Sequence, residues 1–285
     1  MVWRVQNFSG IARVEREVNL KRYYVTYGGI AYDRTIQEIV NRAPFLGADE
    51  VWVYDDAWLE TTEFRQRNAW AWDHPGHKGQ KYGGGWYIWK PYVIREAMKH
   101  LADGDVLMYT DADTYPIADF SCLYDYCLSD ERDEGLRGFF LFEATGCTDR
   151  QWVKRDVWQA VWPSCNPIGA LDSQHATARF MLFQKGVPAV HRFLADWERL
   201  CCVPGLTTRD PSAELEYDGF EENRGDQSIF SLLTHKYNLP LHREADGFGE
   251  ASMLDRDLYG QLFRQEYCTG DRQDLSGSRF RRIPE

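Results

Sequence analysis

Apolar and polar positions along the chain fall into short blocks with two distinct periods. "LKRYYVTYGG", Leu20 to Gly29, reads as a strand closed by paired glycines. In "DRTIQEIVNRA", which follows, Ile36, Ile39, Val40 and Ala43 share one helical face; Asp33 is the expected N-cap, with Pro44 and Gly47 as the stop. "EVWVY", Glu50 to Tyr54, is a second strand. Strand, helix and strand in this order predict a parallel pair joined by a right-handed crossover.

From Asp55 to Gly85 the chain is polar, aromatic and dotted with glycine, and it ends in "HPGHKGQKYGGGW". A stretch this long inside a compact domain predicts a lid or an acceptor-binding loop. Pro91 then opens a helix in "PYVIREAMKHL", whose Val93, Ile94, Ala97, Met98 and Leu101 form the inward stripe, closed near Gly104.

After that helix comes "GDVLMYTDADTYP", Gly104 to Pro116. Val106 to Tyr109 read as a short buried strand, and Asp111 and Asp113 follow with only Ala112 between them. Residues two apart on an extended chain point the same way, so both carboxylates are expected side by side at the strand's carboxyl end. Paired negative charges raise each other's pKa unless a cation or hydrogen-bond donors stabilise them, and a divalent metal is the usual answer. Ligands bind at that edge of an α/β sheet.

Farther on, "GFFLFEATG" and "ARFMLFQKG" read as strands, and "VPAVHRFLADWERL" as a helix with Val190, Phe193, Leu194, Trp197 and Leu200 inward. "ENRGDQSIFSLLTHKYNLPLHRE" predicts a glycine turn, a helix from near Asp226, and a strand around Leu239 to His242. The segment from Gly270 on is polar, a loosely ordered tail after a single domain of residues 1–269. The chain carries no internal repeat.

Composition narrows the function. With 285 residues and 44% hydrophobic content the chain is long enough to bury a substantial core. A net charge of -11 argues against nucleic acid or an anionic membrane as main partner. Aromatic content of 15%, with 11 Trp, suits stacking on bases or sugar rings as well as core packing. No apolar run reaches the roughly 18 residues of a membrane span, and the amino-terminal sequence lacks the pattern of a signal peptide, so the expected location is cytoplasmic. The seven cysteines are scattered without a C-x-x-C pair, and reduced thiols are expected.

Taken together, the β-α-β start, "GGGWYIWKP" with its helix, "GDVLMYTDAD" and the late "RGDQSIFSLL" resemble the GT-A class of nucleotide-sugar-dependent glycosyltransferases, over roughly Leu20 to Glu244. The "DQ" helix is similar to retaining family 8 enzymes, and "WYIWKP" and "DQSIFSLL" to some bacterial polysaccharide glycosyltransferases. The resemblance implies an α/β fold of GT-A (Rossmann-like) type, a mixed, mainly parallel sheet flanked by helices. It also implies sugar transfer from a nucleotide-diphosphate donor, a UDP-sugar being favoured, to a glycan or other hydroxyl acceptor, with retention at the anomeric carbon.

For individual residues the resemblance implies that Asp113 binds Mn2+ or Mg2+ and that Asp111 touches the metal or the ribose. Thr26, Tyr27 and Gly28 would hold the nucleoside, where an ordinary strand-ending turn is the competing explanation. Lys90 would meet the diphosphate near a helix amino terminus, or be a solvated lysine. Trp86 and Trp89 would stack on base or sugar, or fill the core. Asp226 and Gln227 would lie beside the anomeric carbon, although helix capping alone also explains Asp226. His242 is the expected third metal ligand, though "LHREADGFG" departs from the family 8 pattern around that histidine. Glu143 in "LFEATG" would be an acceptor-side carboxylate or general base, or a solvated strand-end glutamate. "DADT" is also similar to the haloacid-dehalogenase-type phosphatase motif, the alternative reading, but in that family it follows the first strand.

Overall fold

The computed structural model describes residues 3–6, 13–16, 20–75, 84–129, 136–163, 167–254 and 258–266. The expected tail from residue 270, and residues 76–83 of the expected loop, lie outside the described residues. In chain order the strands are β1 (Trp3–Gln6), β2 (Arg13–Arg16), β3 (Arg22–Tyr27), β4 (Glu50–Tyr54), β5 (Val106–Asp111), β6 (Thr114–Pro116), β7 (Phe139–Thr148), β8 (Gln174–Ala176), β9 (Phe180–Gln184), β10 (Leu241–His242) and β11 (Phe263–Gln265). The helices are α1 (Asp33–Leu46), α2 (Asp56–Glu60), α3 (Glu63–Arg67), α4 (Trp70–Asp73), α5 (Trp89–Lys99), α6 (Ser121–Leu128), α7 (Asp149–Trp152), α8 (Arg155–Val161), α9 (Pro188–Cys201) and α10 (Asp226–Lys236).

A seven-stranded sheet of order β10-β7-β9-β5-β3-β4, with β8 paired to β7, forms the centre. β3, β4, β5, β7 and β10 run one way, while β9 and β8 run against them, so the sheet is mixed and mainly parallel as expected. Successive residues on a strand face opposite sides. Tyr23, Val25, Leu107 and Tyr109 therefore pack on one side with Val93 and Ile94 of α5, Phe193 of α9 and Leu233 of α10. Tyr24, Val106 and Met108 pack on the other with Ile39 of α1 and Leu123 of α6. Two small ribbons, β1 with β2 and β6 with β11, complete the described strands.

Local chemistry explains the departures from the expected elements. α1 runs through Pro44 to Leu46 and is capped by Gly47, whose φ of 138° suits glycine; Pro44 kinks nothing out of the helix because it lies in the last turn. Asp33 is the first helical residue rather than the cap, which is Tyr32. The stretch after β4 is not a structureless loop. Asp55 accepts from Trp58 N and Thr62 from Arg65 N, and these two caps start α2 and α3. Gly28 closes β3 with its Cα against the Ala112 side chain: a Cβ added there would stand 2.6 Å from Ala112 Cβ. The five described cysteines, Cys122, Cys127, Cys147, Cys201 and Cys202, are free thiols. Among the described residues no helix is long and apolar enough to cross a membrane.

Candidate active site

At the carboxyl end of β5 the strand stops at Asp111, and Ala112 and Asp113 form the turn into β6. The two carboxylates are neighbours through this turn rather than through the pleat. Asp111 is brought into place by β3 on one side, where Tyr27 is its partner, and by Arg179 on the other, whose carbonyl accepts from Asp111 N at 2.8 Å.

Lys90, in the first turn of α5, is 3% exposed and reaches into this edge from one side of the sheet. Its Nζ lies 3.0 Å from Asp111 Oδ1 and 3.3 Å from Asp226 Oδ2, and donates to Ala178 O at 3.0 Å. One buried cation thus joins the D-x-D to the start of α10. Burial opposes its charge, but Asp111 and Asp226 outweigh this and hold the ammonium protonated, with its pKa raised. Burial, Lys90 and Asp113 act in that order on Asp111, whose pKa is also raised. Burial, only partly offset by Lys90, pushes Asp226 up to about 6.

Asp226 is not the helix cap. The cap is Gly225, with φ 65° and ψ -125°, so the turn delivers Asp226 as the first helical residue with its side chain toward Lys90. Trp86 and Tyr87 precede α5 in the left-handed region, with φ 56° and 61°, a conformation costly for side chains of this size. This twist sets the half-buried Tyr87 ring 5.5 Å from Lys90 Nζ. Tyr109 OH donates to Asp111 Oδ1 at 3.0 Å.

Asp113 is held from the opposite side. Thr114 Oγ1 donates to its Oδ1 and Gln265 Nε2 to its Oδ2, each at 2.9 Å. As to a metal, both bonds to Asp111 fall on Oδ1, and its side chain keeps 30% exposure. Asp111 and Asp113 therefore offer the hard oxygen donors that Mn2+ or Mg2+ takes, and one or two carboxylates completed by phosphate oxygens and water suffice for such ions. His242 does not join them: among the described residues no group of three His, Cys, Asp or Glu side chains is arranged to hold a metal. Its ring stacks on Phe140 at 4.0 Å, in register with Phe142 of β7, while Glu244 and Asp246 are the residues after β10 that reach Arg179.

The remaining expected residues divide between the core and the rim. Thr26 is fully buried. Tyr27 stacks on Trp89 at 3.9 Å and donates to Asp56 Oδ1. Trp86 and Trp89 both belong to the hydrophobic core, at 8% and 6% exposure, so packing accounts for their rings. Glu143 is buried and accepts from Thr145 Oγ1 at 3.3 Å. Gln227 is half-buried and accepts from Ala178 N at 3.4 Å. Sequence reading missed Asp56, Tyr87, Tyr109, Arg179 and Gln265. Arg179 alone carried a signal, a charge flush against the apolar "FMLF" of β9.

No protein-family model matches the chain, and no curated protein sequence matches it. Similar solved structures include the WbbM bifunctional glycosyltransferase, at 12% identity and TM-score 0.45 over 84% of this chain and 42% of that chain. Another is a glycosyltransferase involved in glycosylation of the major capsid of PBCV-1, at 10% identity and TM-score 0.45 over 88% and 95%. A third is the galactosyltransferase LgtC, at 13% identity and TM-score 0.37 over 79% and 74%. The chain spans less than half the length of WbbM and of GlyE from Streptococcus pneumoniae, 42% and 44%. Likenesses this distant carry no information on activity or substrate. Each of these neighbours is itself described as a glycosyltransferase.

Proposed function

We propose that this protein is a glycosyltransferase that moves a sugar from a nucleotide-diphosphate donor, a UDP-sugar being favoured, to a hydroxyl acceptor on a glycan or other molecule, with retention. The observation that carries the reading is the buried Lys90, which ties Asp111 of the D-x-D to Asp226 at the edge of the sheet. Such an arrangement costs several kcal/mol in desolvation, and buried, strongly perturbed charges cluster at functional sites.

In this reading Asp111 and Asp113 hold Mn2+ or Mg2+ against the donor diphosphate. When bound, the ion supplies a Lewis acid that offsets the charge developing on the departing nucleotide. The chain's own residues do the rest. Lys90 fixes the distance between the diphosphate end and the sugar end of the site. Asp226, as a carboxylate, faces the positive charge that develops at the anomeric carbon, and fixed charges in a water-poor site are worth far more than in water. Gln227, held by Ala178 N, orients the sugar beside it. Tyr87 packs beside Lys90, and Tyr109 OH holds Asp111 Oδ1 in place. Glu143, buried beside Thr145, is the carboxylate this reading assigns to the acceptor.

The test is thermal unfolding with UDP and with GDP, each with and without Mn2+, on the wild type and on Asp113→Ala. A ligand at about 100 times its Kd adds roughly 2.7 kcal/mol, a rise of at least about 2–4 °C in Tm. The expected result is a rise with UDP and Mn2+ together that Asp113→Ala abolishes. No rise with either nucleotide overturns the reading.

A further inference from the structure

The last described strand returns to the D-x-D from the far end of the chain. β11 pairs antiparallel with β6, with Gln265 opposite Thr114 and Arg264 opposite Tyr115. The ribbon is fastened at its base, where Leu262 N and Phe263 N both donate to Ala245 O. It is fastened at its tip, where Glu266 N donates to Asp113 O at 2.8 Å and Tyr115 OH donates to Glu266 Oε1 at 2.7 Å. The strand is therefore secured without the Gln265 side chain.

The Gln265 side chain makes two further bonds that the pairing does not need. Its Nε2 donates to Asp113 Oδ2 at 2.9 Å, and its Oε1 accepts from Arg179 Nη1 at 2.9 Å. A guanidinium has no acceptor, so it forces the amide oxygen toward itself and the amide nitrogen toward Asp113. Arg179 is in turn immobilised: Nη2 binds Glu244 Oε1 at 2.7 Å, and Nη1 binds Asp246 Oδ2. Its side chain is 16% exposed, and its backbone carbonyl takes the amide of Asp111. Charge, amide and carboxylate follow one another with no rotational choice left, and a hydrogen-bond chain of this kind sets the direction in which Asp113 presents its oxygens.

We propose that Gln265 is a positioning residue for Asp113, acting between Arg179 and the D-x-D to aim the Asp113 carboxylate at the divalent cation of the donor complex. The inference rests on the glycosyltransferase reading, and the experiment separates the two. Partners that orient a metal ligand change metal affinity by about 10- to 100-fold when removed.

Two variants are measured beside the wild type, Gln265→Met, which deletes both bonds at similar volume, and Gln265→Glu, which keeps a partner for Arg179 but sets an acceptor against an acceptor. Mn2+ affinity is titrated in the presence of saturating UDP by the paramagnetic signal of free Mn2+, and folding is followed by near-ultraviolet circular dichroism. The expected result is a folded protein with Mn2+ affinity lowered about 10- to 100-fold in both variants, and nucleotide binding recovered at higher Mn2+. Wild-type Mn2+ affinity in both variants overturns the proposal and leaves the glycosyltransferase reading standing. Loss of the fold in both shows a purely structural glutamine and also overturns it. A wild type that takes no Mn2+ with UDP overturns the proposal together with the reading.

Discussion

The hydroxyl of Ser231 on α10 donates to the buried carboxylate of Asp149 at 2.6 Å. The same oxygen accepts from Ala176 N at 2.8 Å, so a helix residue caps a strand amide under the control of an acid. The contact repeats along the helix. Gln227 accepts from Ala178 N, and His235 Nε2 meets Gln174 O at 3.0 Å. Four helical residues advance about 6 Å and two extended residues about 6.6 Å, so positions 227, 231 and 235 match 178, 176 and 174. The register of α10, and with it the place of Asp226, is fixed by this match.

Ser231→Ala leaves the Ala176 amide without a partner in a fully buried place and removes one of two partners from Asp149 Oδ1, which keeps His175 Nδ1. A cost of roughly 1–3 kcal/mol is expected, read as a lower urea midpoint. Catalysis should fall further than the folded fraction accounts for, because α10 loses its register beneath Asp226.

Removing the central cation is more severe. Lys90→Met strands the buried carboxylate of Asp226 and takes the cation from the partly exposed Asp111, and breaking a buried pair in this way costs about 3–5 kcal/mol. Adding Asp226→Asn removes one of those charges, so the double variant should regain part of the lost stability. Additive losses in the double-mutant cycle contradict the shared ion pair.

Gly28→Ala places a Cβ 2.6 Å from Ala112 Cβ and pushes β3 away from the D-x-D turn. Mn2+ binding should weaken while the far edge of the sheet, at β10, keeps its hydrogen-exchange protection. Uniform loss of protection contradicts a local effect.

Three pH dependences follow. Burial opposes a charge on His235, but the hydrogen bond and charge of Asp149 overcome it, and its pKa is raised above 6.5. A group raised on folding contributes stability fully below its unfolded pKa and loses it as pH rises through the folded value. Tm should therefore fall as pH rises above 6.5 more steeply in wild type than in His235→Gln. Asp149, whose pKa the two histidines lower against the effect of burial, contributes its stability above the ordinary carboxylate value and loses it only in acid. For Asp226, pushed up to about 6 by burial, the active form is the carboxylate, so kcat/KM should fall below pH 6. The residual activity of Asp226→Asn should lack that limb.

Period and punctuation in the sequence were enough for the sheet and its main helices. Paired glycines after an aromatic run marked β3, a short apolar run marked β5, and the 3.6-residue stripe marked α5 and α9. Pro44 misled because a proline in a last turn does not stop a helix, and the short caps at Asp55 and Thr62 hid among aromatic residues. The D-x-D was visible because its chemistry is local. Its supports were not. Gln265 meets Asp113 across 152 residues and Arg179 meets Gln265 across 86, and no local pattern encodes such pairs. Lys90 next to Pro91 looks like a solvated residue until α5 is packed on the sheet, and Asp226 looks like a cap until Gly225 turns it inward.

The most direct measurement is nucleotide release from a panel of UDP-sugars with Mn2+, comparing wild type with Asp113→Ala and Asp226→Asn. The account predicts release from at least one donor, slowed by roughly 100-fold or more in each variant, the scale expected for losing one preorganised electrostatic contact. No release from any donor, together with hydrolysis of small phosphomonoesters that depends on Asp111 and Asp113, would contradict it and identify a phosphatase.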